Sequence, residues 1–219
     1  MRTLYWFGDN PVSMNEPEST LVEYADYSCP FCYLTHRSLE QYRRTRDDAL
    51  AVDWRPFDLR NGKRGPDGEI DDEADIGYPS EVEQRIGQLR TKFDANEMLS
   101  LDEVPKVDSL NAQVVSRYVR NEYPNQWAEV NAAIFDALWE DGRDISDDGV
   151  LAEIAAGAGV DRDEIHDTIA DDERRSQLFE RFEKARRDGV TDVPTFIVDG
   201  RTTTGVLSPE EIERFVSES

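Results

Sequence analysis

The chain has 219 residues, of which 38% are hydrophobic and 10% aromatic, and a formal net charge of −23. That length holds one large domain or a smaller one with a sizeable insertion. A field this negative repels nucleic acid and anionic lipid surfaces, which excludes both as partners. The acid is spread along the chain rather than gathered in a tail, and the only lysines are Lys63, Lys92, Lys106 and Lys184. In molar salt the Debye length falls to about 3 Å and such self-repulsion is screened. The composition therefore reads as that of a halophile with a salty cytosol, against the plainer reading of an ordinary acidic protein. Met1 to Asn10 carries only the short apolar stretch Leu4 to Phe7, too little for the apolar region of a signal peptide. No stretch approaches the roughly 20 apolar residues of a membrane span, and a cytoplasmic location is expected.

Residues 20–27, TLVEYADY, read as a strand rich in β-branched and aromatic residues. A helix follows from Pro30 to about Arg46; proline suits the first helical position, which makes Cys29 the cap. Residues 49–59 read as a second strand ending near Pro56, and residues 60–75 as a loop full of Gly, Pro and Asp. The middle is helical. Val82, Ile86, Leu89 and Phe93 recur at helical spacing, as do Trp127, Val130, Ile134, Phe135 and Leu138. Val150, Leu151, Ile154 and Ala155 form a third stripe capped by Ser146 or Asp147. Asp161 to Glu164 has the form of a capping box before Ile165 and Ile169. Leu178, Phe179 and Phe182 belong to a long helix that stops at Gly189. These stripes are core positions. Residues 194–200 and 201–205 then read as a hairpin turning at Asp199-Gly200. Residues 208–216 form a helix capped by Ser208, with Pro209 first and Glu211 closing a capping box. The expected architecture is α/β: residues 1–76 and 189–219 form one discontinuous domain, and residues 77–188 an all-helical insertion.

The chain has two cysteines, Cys29 and Cys32, separated by Pro30 and Phe31. In a reducing compartment this spacing points to catalysis or metal binding rather than a structural staple. Cys29 stands at a helix N-terminus, where unpaired N–H groups and the helix dipole favour a thiolate. Cys32, one turn on, is placed to attack a mixed disulfide formed on Cys29. A zinc site needs four ligands as a rule, and only His36 and His166 supplement the cysteines, so no metal is expected. His36 reads as a partly solvated helix residue able to tune the thiols. Glu23, in the first strand, either faces outward or is buried; if buried, its pKa rises and it could exchange a proton with Cys32. Asp26 has the opposite strand parity and is expected to be exposed. Near the C-terminus, GVTDVPTFIVDG (residues 189–200) places Pro194 at a strand start, a candidate for a cis Val193–Pro194 bond against the statistical preference for trans.

YSCPFC after a strand, a helical insertion, and GVTDVPTFIVDG in this order resemble the DsbA-like thioredoxin-fold oxidoreductases, in particular the cytoplasmic FrnE-like branch. The resemblance spans about residues 18 to 216. It implies a thioredoxin-like fold, a central mixed β-sheet flanked by helices. It also implies Cys29 as nucleophile, Cys32 as resolving cysteine, Pro194 as the cis-proline beside them, and Glu23 as the buried acid. Val193, Pro30 and Phe31 would contact substrate. The implied partners are thiol or disulfide substrates, peptides or small molecules, and a reductant or oxidant that recycles the pair. No dissociable cofactor is implied, because the dithiol is the redox group. Phe31 departs from the Pro-His dipeptide of the periplasmic oxidants, so a less oxidising potential is expected. Fold-related glutathione-transferase-kappa-like enzymes and 2-hydroxychromene-2-carboxylate isomerase-like enzymes are the alternative; they typically carry serine in place of the pair.

The halophile reading predicts that the melting temperature rises steeply between low and molar KCl. Melting curves against KCl that stay flat would leave the ordinary acidic protein as the better reading.

Overall fold

The computed structural model describes residues 20–45, 50–65, 70 and 78–218. The expectations for the N-terminus and for much of the loop at residues 60–75 lie outside these. Four strands form one sheet in the order β2-β1-β3-β4: β1 (Leu21–Ala25), β2 (Val52–Pro56), β3 (Thr195–Val198) and β4 (Arg201–Thr204). β1 runs parallel to β2 and antiparallel to β3, with Glu23 opposite Trp54 on one side and Phe196 on the other. The parallel pair needs a crossover, which α1 (Pro30–Arg44) supplies. β3 and β4 form the expected hairpin. Asp199 and Gly200 both have positive φ, 45° and 79°, as a two-residue turn matched to strand twist requires.

Between β2 and β3 lie α2 (Ser80–Lys92), α3 (Leu110–Glu122), α4 (Trp127–Trp139), α5 (Asp148–Gly157), α6 (Arg162–Ile169) and α7 (Asp172–Arg187). The chain closes with α8 (Pro209–Ser217), where Ser208 and Glu211 make the full capping box. The second box is only half made. Asp161 accepts from the N–H groups of Asp163 and Glu164. The Glu164 carboxylate instead accepts from the Tyr118 and Tyr123 hydroxyls at 2.7 and 2.6 Å. Helix α3 has no counterpart among the expected stripes, although Leu110, Val114, Val115 and Val119 recur at helical spacing and are buried.

The largest apolar cluster runs without a break from the sheet (Tyr24, Ala25, Trp54) through both cysteines into α4 and α5. At its centre Tyr27 packs on Phe135 and Trp54, with ring centroids 4.7 and 5.3 Å apart. A second cluster joins Leu21 and Phe196 to Leu39 and Tyr42 of α1 and to Ile212 of α8. The two cysteines are thus embedded where the sheet and the helices between β2 and β3 share one core.

Phe135 is fully buried, touches Tyr27 and stacks on His36. Phe135→Ala should lower the unfolding free energy by about 3–5 kcal/mol, the cost of a large aromatic lost from a packed core. Urea unfolding measures it; a loss under about 1 kcal/mol would show that the two parts of the core do not depend on each other.

Candidate redox site at the start of α1

β1 ends at Ala25, and residues 26–28 turn the chain into α1. Cys29 is the N-cap, with φ −91° and ψ 115°, and Pro30 follows at the first helical position. The Cys29 Sγ accepts a hydrogen bond from the Cys32 backbone N–H at 3.3 Å. The same N–H also donates to the Cys29 carbonyl oxygen at 3.0 Å, so the sulfur shares a first-turn donor of the helix with its own backbone. As a thiol, the same Sγ lies within donating distance, 3.5 Å, of the Val193 carbonyl oxygen. Both cysteines are free thiols, and Cys29 is only 1% exposed.

The Val193–Pro194 peptide bond is cis. Pro194 is buried, and its carbonyl accepts from Gly205 N–H at 2.9 Å, which fixes the segment to the end of β4. Val193 is thereby held as the wall facing Cys29. Pro30 is buried within α1, whereas Phe31 is half-buried with the Arg85 guanidinium 5.3 Å over its ring. Phe31 is neutral, yet it brings a cation to the same corner.

Two carboxylates are buried here. Glu23 is 4% exposed. Burial raises its pKa to about 7, against the pull of Arg43. Cys32 is pushed well up, chiefly by burial, then by the hydrogen bond and charge of Cys29, with a further push from Glu23. Glu23 is thus the buried alternative, electrostatically linked to the second thiol.

Asp26 corrects an expectation. It is fully buried rather than exposed, because the strand has ended and β alternation no longer sets its direction. Its Oδ1 accepts from Ser28 N–H at 2.8 Å, Ser28 Oγ at 2.9 Å and Ser109 Oγ at 2.6 Å. Its Oδ2 accepts from Leu59 N–H at 2.8 Å. Burial still holds its pKa above the ordinary carboxylate value, with those hydrogen bonds opposing and Asp58 adding to the rise. His36 is the second correction. It is buried and stacked on Phe135, centroids 4.9 Å apart. Burial, with Arg43 and Arg37 adding, lowers its pKa to about 3. A neutral imidazole brings no positive charge to the thiols, and the 3.9 Å approach of Glu40 is no ion pair near neutral pH.

Other contributors carry no local sequence signal. The Tyr78 hydroxyl donates to the Ser28 carbonyl, and its pKa is raised by burial and by the nearby Cys29. Trp139 Nε1–H donates to the Tyr27 carbonyl at 2.8 Å. A cavity of about 200 Å³ opens beside the turn, lined by Ser28, Tyr78, Arg60, Lys106 and Trp139 among others. Among the described residues no three His, Cys, Asp or Glu side chains form a group that could hold a metal.

Residues 20–217 match the DSBA-like thioredoxin domain. The chain belongs to that family. It is 24% identical over 199 residues to the uncharacterized protein YwbO of Bacillus subtilis, covering 89% of this chain and 94% of that one. Its fold is similar to that of the probable DsbA oxidoreductase SCO1869 of Streptomyces coelicolor, with a TM-score of 0.71 at 19% identity over 91% of this chain and 89% of that chain. It is also similar to 2-hydroxychromene-2-carboxylate isomerase, with a TM-score of 0.67 at 16% identity over 91% and 93% of the two chains. The fold therefore hosts more than one chemistry, and the side chains at the start of α1 must decide between them.

The buried Glu23 carboxyl gives a pH test of the site. Its folded pKa of about 7 lies above the ordinary 4.5. Its burial therefore adds no ionisation penalty below pH 4.5, and stability falls as pH rises from there through 7. Glu23→Gln should remove that fall and stabilise the protein at pH 8 by up to about 3 kcal/mol. Unfolding free energies measured from pH 5 to 8 check it; parallel curves for the two proteins would mean that Glu23 is not held neutral by burial.

Proposed function

We propose that the protein is a cytoplasmic thiol–disulfide oxidoreductase acting on disulfides or thiols of peptides or small molecules through Cys29 and Cys32. The observation that carries this reading is the Cys29 sulfur, held by the Cys32 N–H at a helix start and walled by the Val193 carbonyl. In the reducing direction the Cys29 thiolate attacks one sulfur of a substrate disulfide. A Cys29–substrate S–S bond forms, the substrate S–S bond breaks, and one substrate thiolate leaves. Cys32 then attacks Cys29 Sγ, releasing the second substrate thiolate and leaving a Cys29–Cys32 disulfide. The substrate gains two electrons, which the dithiol loses; a thiol reductant restores the pair. The oxidising direction runs the same steps backwards, so the dithiol itself is the redox group.

Each neighbour has a part in this cycle. Glu23, with a pKa of about 7, takes the proton that Cys32 must lose before it attacks. Neither thiol is accessible enough to meet a disulfide as it stands, so the side chains covering Cys29 yield as substrate enters. Val193, beside cis Pro194, and the half-exposed Phe31 are the substrate contacts. The isomerase alternative has less support, since that chemistry makes no use of a second thiol one helical turn from the first.

Cys29→Ser should abolish thiol-dependent reduction of a disulfide-bonded protein such as insulin, and Cys32→Ser should accumulate the mixed disulfide. Glu23→Gln should slow release of that intermediate roughly 10²-fold or more below pH 8, in keeping with the loss of a general base, while attack by Cys29 persists. Full activity in Cys29→Ser, or a glutathione-dependent isomerisation that survives loss of both cysteines, would overturn the mechanism.

A further inference from the structure

One cavity of this acidic protein is lined by cations. It measures about 450 Å³ and lies between the sheet and helices α3 and α7. Arg55, Arg117, Arg120, Arg181 and Lys184 surround it, and Asp53 is its one acidic lining residue. In a chain with 48 acids and 25 bases, five cations around one acid run against the composition. Like charges gathered in a concave site raise each other's energy unless something of opposite sign enters.

The internal partners do not cancel this field. Arg55 and Arg120 share Asp53, each at 2.8 Å. Lys184 pairs with Asp188 of the helix end at 2.5 Å. Arg117 and Arg181 form no ion pair among the described residues. The Nη1 of Arg117 is buried and has no hydrogen-bond acceptor. A second donor is orphaned at the same place: Trp54 lines the cavity, is 3% exposed, and its indole Nε1–H also finds no acceptor. A buried donor left without an acceptor costs about 1–3 kcal/mol, and both of these residues line the one basic cavity.

We propose that this cavity binds a small organic anion carrying two or more phosphate or carboxylate groups, held by the guanidinium groups of Arg117 and Arg181. Guanidinium groups are forks that match both oxyanions. The volume falls within the range of small-molecule sites, about 300–1,000 Å³, and suits a metabolite rather than a polymer. Neither cysteine lines the cavity, so this site is separate from the thiol centre and does not depend on the oxidoreductase reading.

The test is calorimetric titration of the full-length protein with pyrophosphate, citrate and acetate at constant ionic strength. Saturable one-to-one binding of pyrophosphate or citrate, with acetate much weaker, is the expected result; which of the two binds tighter distinguishes a phosphate from a carboxylate ligand. Arg181→Ala, an exposed position, should weaken binding roughly tenfold, the loss of one charge-assisted contact. Arg117→Ala should weaken it at least as much. Arg214→Ala on α8 should leave it unchanged. Should Arg117→Ala fail to fold, Arg181→Ala and the Arg214 control still decide. No saturable binding of either polyanion, or binding unmoved by Arg181→Ala, overturns the proposal.

Discussion

Asp26 sits under the turn into α1 and accepts four hydrogen bonds, from Ser28 N–H and Oγ, Leu59 N–H and Ser109 Oγ. Through them one carboxylate ties the turn before Cys29 to the loop after β2 and to the residue that caps α3. Ser109 stands at the N-cap of α3 yet makes no side-chain cap bond; its hydroxyl is committed to Asp26. The same region is clamped again by Arg64, whose guanidinium bridges Asp58 at 2.8 Å and Asp108 at 2.6 Å. From above, Tyr78 and Trp139 donate to the carbonyls of Ser28 and Tyr27. The Cys29 sulfur lies where it does because the backbone leading into it, residues 26–28, is fixed by donors and acceptors from distant parts of the chain. A buried carboxylate whose partner is removed is costly, which ties the geometry of the thiols to the integrity of the whole core.

What was legible in the sequence follows from how local the cause is. The cap at Cys29, proline at the next position and the Asp199-Gly200 turn all rest on interactions within four residues, and each stands as read. So does the capping box at Ser208. The box at Asp161 was half right, because the distant Tyr118 and Tyr123 compete for Glu164 more effectively than the cap N–H does. Asp26 and His36 were misjudged for the same kind of reason. Strand parity says nothing once the strand has ended, and helix position alone does not reveal that Phe135 covers the imidazole. Tyr78 and Trp139 reach the turn across 50 and 112 residues of sequence, a relation that no local pattern encodes.

The distribution of charge separates two functions of the surface. Among the described residues most of the acid is exposed, where it keeps the chain hydrated, and its contribution to the fold is small because exposed ion pairs are worth little. The charges that matter structurally are the few drawn inward: Asp26, Asp58 with Arg64, and Asp53 between Arg55 and Arg120. Asp53 is the instructive case. Its pKa is lowered because hydrogen bonds from Arg55 and Arg120 outweigh partial burial, so it stays ionised and orders the two arginines at the cavity wall.

The linkage of the two thiols gives the proposed cycle a direction in time. Cys32 is held protonated mainly by burial and next by Cys29, through both their hydrogen bond and the charge of the Cys29 thiolate. While Cys29 is a thiolate, Cys32 stays a thiol and does not compete as nucleophile. When Cys29 enters a mixed disulfide its negative charge is gone, and with it the second and third largest causes that hold the Cys32 proton. Burial remains, and it is here that Glu23 matters: a carboxylate with a pKa of about 7 accepts a proton at neutral pH that an ordinary glutamate would not hold. In the proposed cycle the first chemical step would thus ease the second. The order of attack before resolution follows from electrostatics within a single turn of helix.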